Sequence, residues 1–397
     1  MTLLTKTPTD TATAAAPQPI TGGPPELETG AVLTIDLSAI AFNWRSLMQR
    51  AVPADCAAVV KADAYGCGLE PVTAELARHG CRTFFVAHLA EARQVRAAAP
   101  ESTIYVLNGI APGSASAYAE IDARPVIGSM VEFVEWDAFR RASGWPGGAA
   151  LHFDTGMHRL GLAVEEAPAL AARVKMPDHG IALIMTHLSC ADTPGHELNN
   201  AQTEAFRQLR YLFRGVAASL ANSSGIFLGS AAHCDMVRPG AALYGINPTP
   251  ASQNLMEPVV TLKGRIVHVR HVERGAAVGY GAAWTAPKAS RIAIVSVGYG
   301  DGYFRVAGSF PTAKKGSAPA AAQAVVANKR CPVVGRISMD LMALDITAVT
   351  EGAARRGDYA TLIGDGITVD ELAGWSGTIG YEVLTRLGHR YHRVWTR

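Results

Sequence analysis

The stretch RTFFVAHLAEARQVRAAAPESTIYVLNG, residues 82–109, decides the fold class. A short run dense in aromatic and branched side chains gives way to AEARQVRAAAP, where helix formers set apolar residues three to four apart. STIYVLNG then returns to the branched, strand-like texture. Strand, helix, strand in that order is a crossover unit, and repeated crossovers build a parallel sheet. The alternation extends from this unit in both directions. CAAVV (56–60), ARPVIGS (123–129), ALHFDTG (150–156) and IALIMTHLS (181–189) are further branched runs. EPVTAELARHG (70–80) and HELNNAQTEAFRQLRYLFRGVAASL (196–220) carry helical spacing. Roughly six to eight repeats over about 220 residues fit a (β/α)8 barrel better than an open sheet. An α/β chain with an N-terminal barrel over residues 31–257 is therefore expected. No GxGxxG turn follows a strand-like run, which weighs against a dinucleotide-binding sheet.

Beyond residue 257 the texture changes. VVTLKGRIVHVRHVERG, RIAIVSVGYG, AQAVVANKRCPVVGRISMDLMALDIT and DYATLIGDG are strand-like and turn-rich. They predict a mainly β domain over 258–397 that ends in a helix near TVDELAGWSG (368–377). AKKGSAPAAAQA (313–324) reads as an exposed loop. Residues 1–30, rich in Thr, Ala, Pro and Gly, lack the apolar run of a secretion signal and read as a disordered lead-in.

Thirty-six basic residues against 34 acidic ones leave a formal charge of +2, which gives no case for nucleic acid as a partner. Six scattered cysteines without a C-x-x-C pair give no case for zinc or a disulfide framework. No uncharged apolar run approaches the roughly 20 residues of a membrane span, so a cytoplasmic protein without a membrane or metal partner is expected.

AVVKADAYGCG (58–68) carries the sharpest chemical signal. A strand running into Lys61 puts its amine at the barrel face where active sites are built. Desolvation there disfavours the ammonium, and a neutral amine can condense with a carbonyl cofactor. Taken alone, a strand-end lysine with Tyr65 and Gly66 behind it is more often a salt-bridged surface residue. The segment V-K-A-D-A-Y-G, however, resembles the cofactor-lysine motif of alanine racemases, and further matches follow in order along nearly the whole chain.

That resemblance implies an enzyme that uses pyridoxal 5′-phosphate, with Lys61 as the lysine that carries it and Tyr65 as a phosphate-binding residue. FDTGMHRLGL is similar to the family's D-T-G-M-x-R-x-G and makes Arg159 a substrate-carboxylate ligand, a role that suits its planar fork. Many family members have a carbamylated lysine two residues before that Asp. Here the position is His152, which excludes carbamylation. MTHLSCAD places His187 near the cofactor ring, and MVRPGAALYG places Arg238 at the ring nitrogen, with His187 linked to it. Ser223 of ANSSG, with the backbone of Gly240 and Ala241, matches the phosphate cup, where a small residue lets backbone donors approach an anion.

The β domain supplies the rest of the resemblance. Tyr280 of AAVGYGAAW is implied to be the second catalytic group, on the cofactor face opposite Lys61. Racemisation needs such a pair, because one group removes the α-proton and another returns it from the far side. The family pattern makes Tyr280 the base for the L-enantiomer and Lys61 for the D-enantiomer. Met339 of R-x-S-M-D offers its backbone N–H to the substrate carboxylate, and Tyr381 matches a phosphate-contacting residue. Tyr299, Asp192 and Arg336 align with the entrance and Cys190 with the inner channel. The expected assembly is a head-to-tail homodimer with shared sites, and the expected reaction is L-alanine to D-alanine. A racemase of broader range, acting on serine or basic amino acids, is the alternative. A PLP decarboxylase would need motifs that the sequence lacks, and a PLP carrier would lack the β domain.

Overall fold

The computed structural model describes residues 19–174, 179–308 and 321–397. Parallel strands Thr83–Val86, Thr103–Val106, Ala123–Ile127, Ala149–His152, Ile181–Met185, Ala217–Ser219 and Met236–Val237 follow one another around a ring. The run at 55–59 closes it. Asp55–Cys56 pairs with Met236–Val237, and Ala58–Val59 pairs with Thr83–Val86. Ala57 N–H donates to Val237 O at 3.0 Å across the seam, so the two pieces act as one strand of an eight-stranded barrel. The interior is filled by Ala57, Val59, Phe85, Tyr105, Val126, Ala150, Leu183 and Met185. Their neighbours along each strand, such as Phe84 and Ile104, point outward into the helix-covered core.

The expected domain boundary shifts at its N-terminal side. Ala31–Asp36 is not a barrel strand. It pairs antiparallel with Val260–Val272 and parallel with His392–Thr396, inside the β sheet. Its strict alternation of buried and half-buried residues suits that one-sided sheet rather than a doubly covered barrel strand. Val260–Val272, with 13 residues, organises the domain. Its first half pairs with Ala31–Asp36 and Tyr359–Ile363, and its second half pairs with Ser290–Val295.

Four further expectations change. The 196–220 segment is not one helix. It ends at Leu212, and Ala217–Ser219 is a barrel strand too short to show a period in sequence. The chain does not close on the helix Val369–Ser376. A second helix, Gly380–Thr385, and the strand His392–Thr396 follow. The lead-in is shorter than 30 residues, because Ile20–Gly22 pairs with His392–Thr396; residues 1–18 lie outside the described residues. Most of the loop expected at 313–324 also lies outside them, and its end belongs to the strand Gln323–Val326. No described helix is long and apolar enough to cross a membrane.

Candidate active site

A cavity of about 430 Å³ opens at the C-terminal ends of the barrel strands. Lys61, Tyr65, His152, Arg159, His187, Ser223, Arg238, Gly240, Ala241 and Tyr381 all line it, and Lys61 and His187 stand just after strand-like runs. No Asp or Glu is among its described lining residues. Three cationic side chains therefore converge on a space with no carboxylate wall, which fits an anionic ligand.

Burial, then the charge of Arg159, pulls the Lys61 amine down from its ordinary pKa, against a smaller opposing effect of Glu91. Behind Lys61 the backbone is unusual. Ala62, Asp63, Ala64 and Tyr65 all have φ between 51° and 55°, a left-handed turn made without glycine. Each such residue costs about 1–2 kcal/mol, so tertiary contacts must hold the turn. Glu91, on the helix Leu89–Ala98, accepts from Ala62 N–H at 2.7 Å and from Ala87 N–H at 2.8 Å. Asp63 accepts from Leu69 N–H at 2.8 Å. Tyr65 stacks on Tyr244 with ring centroids 4.7 Å apart, and Tyr244 donates to Val59 O at 3.0 Å.

Opposite the turn lies a cluster of small polar donors. Gly240 N–H and Ala242 N–H donate to Ser223 Oγ at 2.9 and 3.2 Å. A Cβ on Gly240 would come within 2.4 Å of the Tyr65 hydroxyl. Backbone amides, the Ser223 hydroxyl and the Tyr65 hydroxyl thus meet beside Gly240, where a side chain at 240 would intrude. These residues fit a phosphate group.

Arg238 is buried on the floor, donating to Ser219 Oγ and to Thr186 O, the latter at 2.6 Å. Its guanidinium carbon lies 5.9 Å from the Phe85 ring centre, over the barrel interior. Burial lowers its pKa to about 10, which still leaves it charged at neutral pH. The expected link to His187 is electrostatic. Burial first, then Arg238 and Arg159, hold the His187 imidazole well below its usual range. Its hydrogen-bond neighbour is Asn222, with Nδ2 at 3.4 Å from His187 Nε2.

Arg159 stands at the exposed rim on the loop after Ala149–His152. That loop is tied by Asp154 Oδ1, which accepts from the N–H groups of Gly156, Met157 and His158 at 2.9, 2.9 and 3.1 Å. Thr155 Oγ1 meets Thr186 Oγ1 at 2.8 Å and joins it to the His187 strand end. His152 lies beneath the loop, buried. Burial, then Arg238 and Arg159, push its pKa down to about 4, with Asp154 opposing.

A histidine that folds neutral binds fewer protons than the unfolded chain, whose histidine titrates near 6.5. Stability contributed by His152 is thus present above about pH 6.5 and lost as pH falls toward 4, in total about 3 kcal/mol. His187 acts with the same sign. Denaturant melts between pH 4 and 7 should show a flatter acid limb for His152→Gln than for the wild type. An unchanged slope would contradict a neutral, buried His152.

Tyr280, Met339, Tyr299 and Arg336 do not line this cavity. Tyr280 is 72% exposed, Met339 55% and Tyr299 38%. They share one face of the β domain. Tyr299 N–H donates to Ser338 O at 3.0 Å, and a Cβ on Gly281, beside Tyr280, would lie 3.2 Å from Arg336 Nη1. Asp192 sits near Tyr381 and, after burial, raises its pKa. Sequence reasoning missed Asn222, although it adjoins Ser223, and Gln202. The latter donates to His187 O at 2.9 Å and accepts from Ser189 N–H at 2.9 Å. Only its place on the buried face of Glu197–Leu212 marks Gln202. Among the described residues no group of three or more His, Cys, Asp and Glu side chains is placed to hold a metal.

A family model for the alanine racemase N-terminal domain matches residues 35–248, and one for the alanine racemase C-terminal domain matches 259–395. Alanine racemase of Methylobacterium sp. (strain 4-46) is 53% identical over 366 residues, which cover 92% of this chain and 98% of that protein. The crystal structure of alanine racemase from Bartonella henselae with covalently bound pyridoxal phosphate aligns at a TM-score of 0.85 and 33% identity. That alignment covers 92% of this chain and 99% of the other. Biosynthetic alanine racemase from Pseudomonas aeruginosa aligns at 0.83 and 35%, over 93% and 100%. Matched through both of its domains, the chain belongs to the alanine racemase family.

Proposed function

We propose that the chain interconverts L- and D-alanine as a cytoplasmic homodimer, with pyridoxal 5′-phosphate held on Lys61. One observation carries this: a half-buried lysine of lowered pKa faces a cationic cavity that has an amide-and-hydroxyl cradle and no carboxylate. Tyr65, Ser223, Gly240, Ala241 and Tyr381 would hold the phosphate. When bound, the cofactor supplies a carbonyl for the substrate amine and a conjugated ring that acidifies Cα.

The chain's own groups do the remainder. Arg238 would face the ring nitrogen of the bound cofactor, where its positive charge would offer no acceptor for a proton. Arg159 and the Met339 N–H bind the substrate carboxylate. Lys61 Nζ takes or returns the α-proton on one side, and Tyr280 Oη does so on the other. Tyr280, Met339, Tyr299 and Arg336 would reach the cavity from the partner subunit, with Asp192 at the shared entrance. The relatives' name favours alanine over the serine and basic amino-acid alternative.

The test pairs chemistry with location. Purified protein incubated with the cofactor and L-alanine should yield D-alanine by chiral chromatography. Borohydride reduction should leave a pyridoxyl adduct on the peptide containing Lys61. An adduct elsewhere, or no enantiomer formed from alanine, would reject the assignment.

A further inference from the structure

The left-handed turn after Lys61 is held from two directions. Glu91 anchors its start from inside the barrel domain. Its exit is held by the β domain, through a strand more than 300 residues later. Arg393 Nη1 donates to Gly66 O at 2.8 Å, and Trp395 Nε1 donates to Cys67 O at 2.7 Å. Arg393 Nη2 meets Leu387 O and Gly388 O, each at 3.1 Å, and its guanidinium lies 3.9 Å from the Asp63 carboxylate. Arg393 is 5% exposed, so these partners replace water.

The two donors lie two residues apart on His392–Thr396 and so share one face of the strand. The fit is close. A Cβ on Gly68 would come within 2.8 Å of the Trp395 ring, and one on Gly66 within 2.3 Å of Leu384 O. Four residues in an unfavourable backbone region relax unless such contacts hold them. Lys61, whose amine enters the cavity, is the residue immediately before that turn.

We infer that Arg393 and Trp395 are positioning residues for Lys61, with the closing strand of the β domain fixing the turn that aims its amine into the cavity. They touch neither cofactor nor substrate. They act by denying the turn its relaxed alternatives, so the barrel alone does not set the geometry of its own lysine. The inference rests on the assignment of Lys61 as the cofactor lysine. Arg397 offers an internal control. It joins the same chain segment to the barrel through the buried Glu75, at 3.0 Å, without touching the turn.

The experiment uses full-length protein loaded with pyridoxal phosphate, as wild type, Trp395→Phe, Arg393→Lys and Arg397→Ala. Trp395→Phe keeps an aromatic ring and loses the donor together with part of the indole. Amide exchange of residues 62–68 should accelerate about tenfold in Trp395→Phe and Arg393→Lys, the effect of one buried hydrogen bond. The pH titration of bound-cofactor absorbance should shift and kcat should fall, while KM and the melting temperature stay near wild type. Arg397→Ala should leave exchange, titration and kcat unchanged. Wild-type exchange and titration in Trp395→Phe would overturn the inference, as would changes matched by Arg397→Ala. If Lys61 does not carry the cofactor, the wild type itself fails the titration. Amide exchange then still decides whether the strand holds the turn.

Discussion

Lys61→Ala should reduce racemisation by about 10⁴-fold or more, the upper range for removing a positioned proton-transfer group, and should abolish covalent retention of the cofactor. The fold should survive. Lys61 makes no ion pair among the described residues, and burial already disfavours its charge. Removing it leaves no orphaned carboxylate, and the preceding strand Ala58–Val59 pairs with Thr83–Val86 through backbone bonds that the substitution does not touch. Rate, cofactor content after dialysis and melting temperature together check this. A variant that keeps bound cofactor after borohydride treatment, or turns over within tenfold of wild type, contradicts the assigned role.

Tyr280→Phe should also be nearly inactive in both directions, because each turnover uses both proton-transfer groups, yet its defect should be complemented by the Lys61 variant. Tyr280 is 72% exposed and absent from the cavity of its own chain. A site built from two subunits pairs Lys61 of one copy with Tyr280 of the other. Co-refolding equal amounts of Lys61→Ala and Tyr280→Phe makes half of the dimers mixed. Each mixed dimer has one site carrying both lesions and one carrying none. Activity should recover to about a quarter of wild type under statistical pairing in a two-fold dimer. No recovery, from mixed dimers verified by mass, would contradict a shared site.

The parts of this site legible in the sequence are those tied to strand ends. Lys61 and His187 each follow a run of branched residues, and position after a strand is what places a group at the barrel mouth. Met236–Val237 precedes Arg238 but has only two residues, too few to show a period, so motif resemblance located that arginine where periodicity could not. The left-handed turn was illegible because a run of Ala, Asp, Ala and Tyr without glycine does not announce positive φ, and contacts with Glu91, Arg393 and Trp395 far along the chain help to hold it. Ala31–Asp36 was read with the barrel because it precedes the barrel in the chain, whereas its partners lie more than 200 residues onward. Tyr280 is expected at a site shared between two subunits, and in the structure it lies exposed and outside the cavity of its own chain.

The sheet order has a consequence for how such a chain is made. His392–Thr396 lies between Ile20–Gly22 and Ala31–Asp36, so strands from the two ends of the described chain are neighbours. The ring of eight parallel strands draws on residues 55–237 and can assemble while synthesis continues. Ala31–Asp36 keeps one edge of backbone donors and acceptors unpaired until residue 396 has left the ribosome. An unpaired edge is where β segments meet the wrong partner. Among the early-made segments, Ala31–Asp36 thus carries an open edge through most of synthesis.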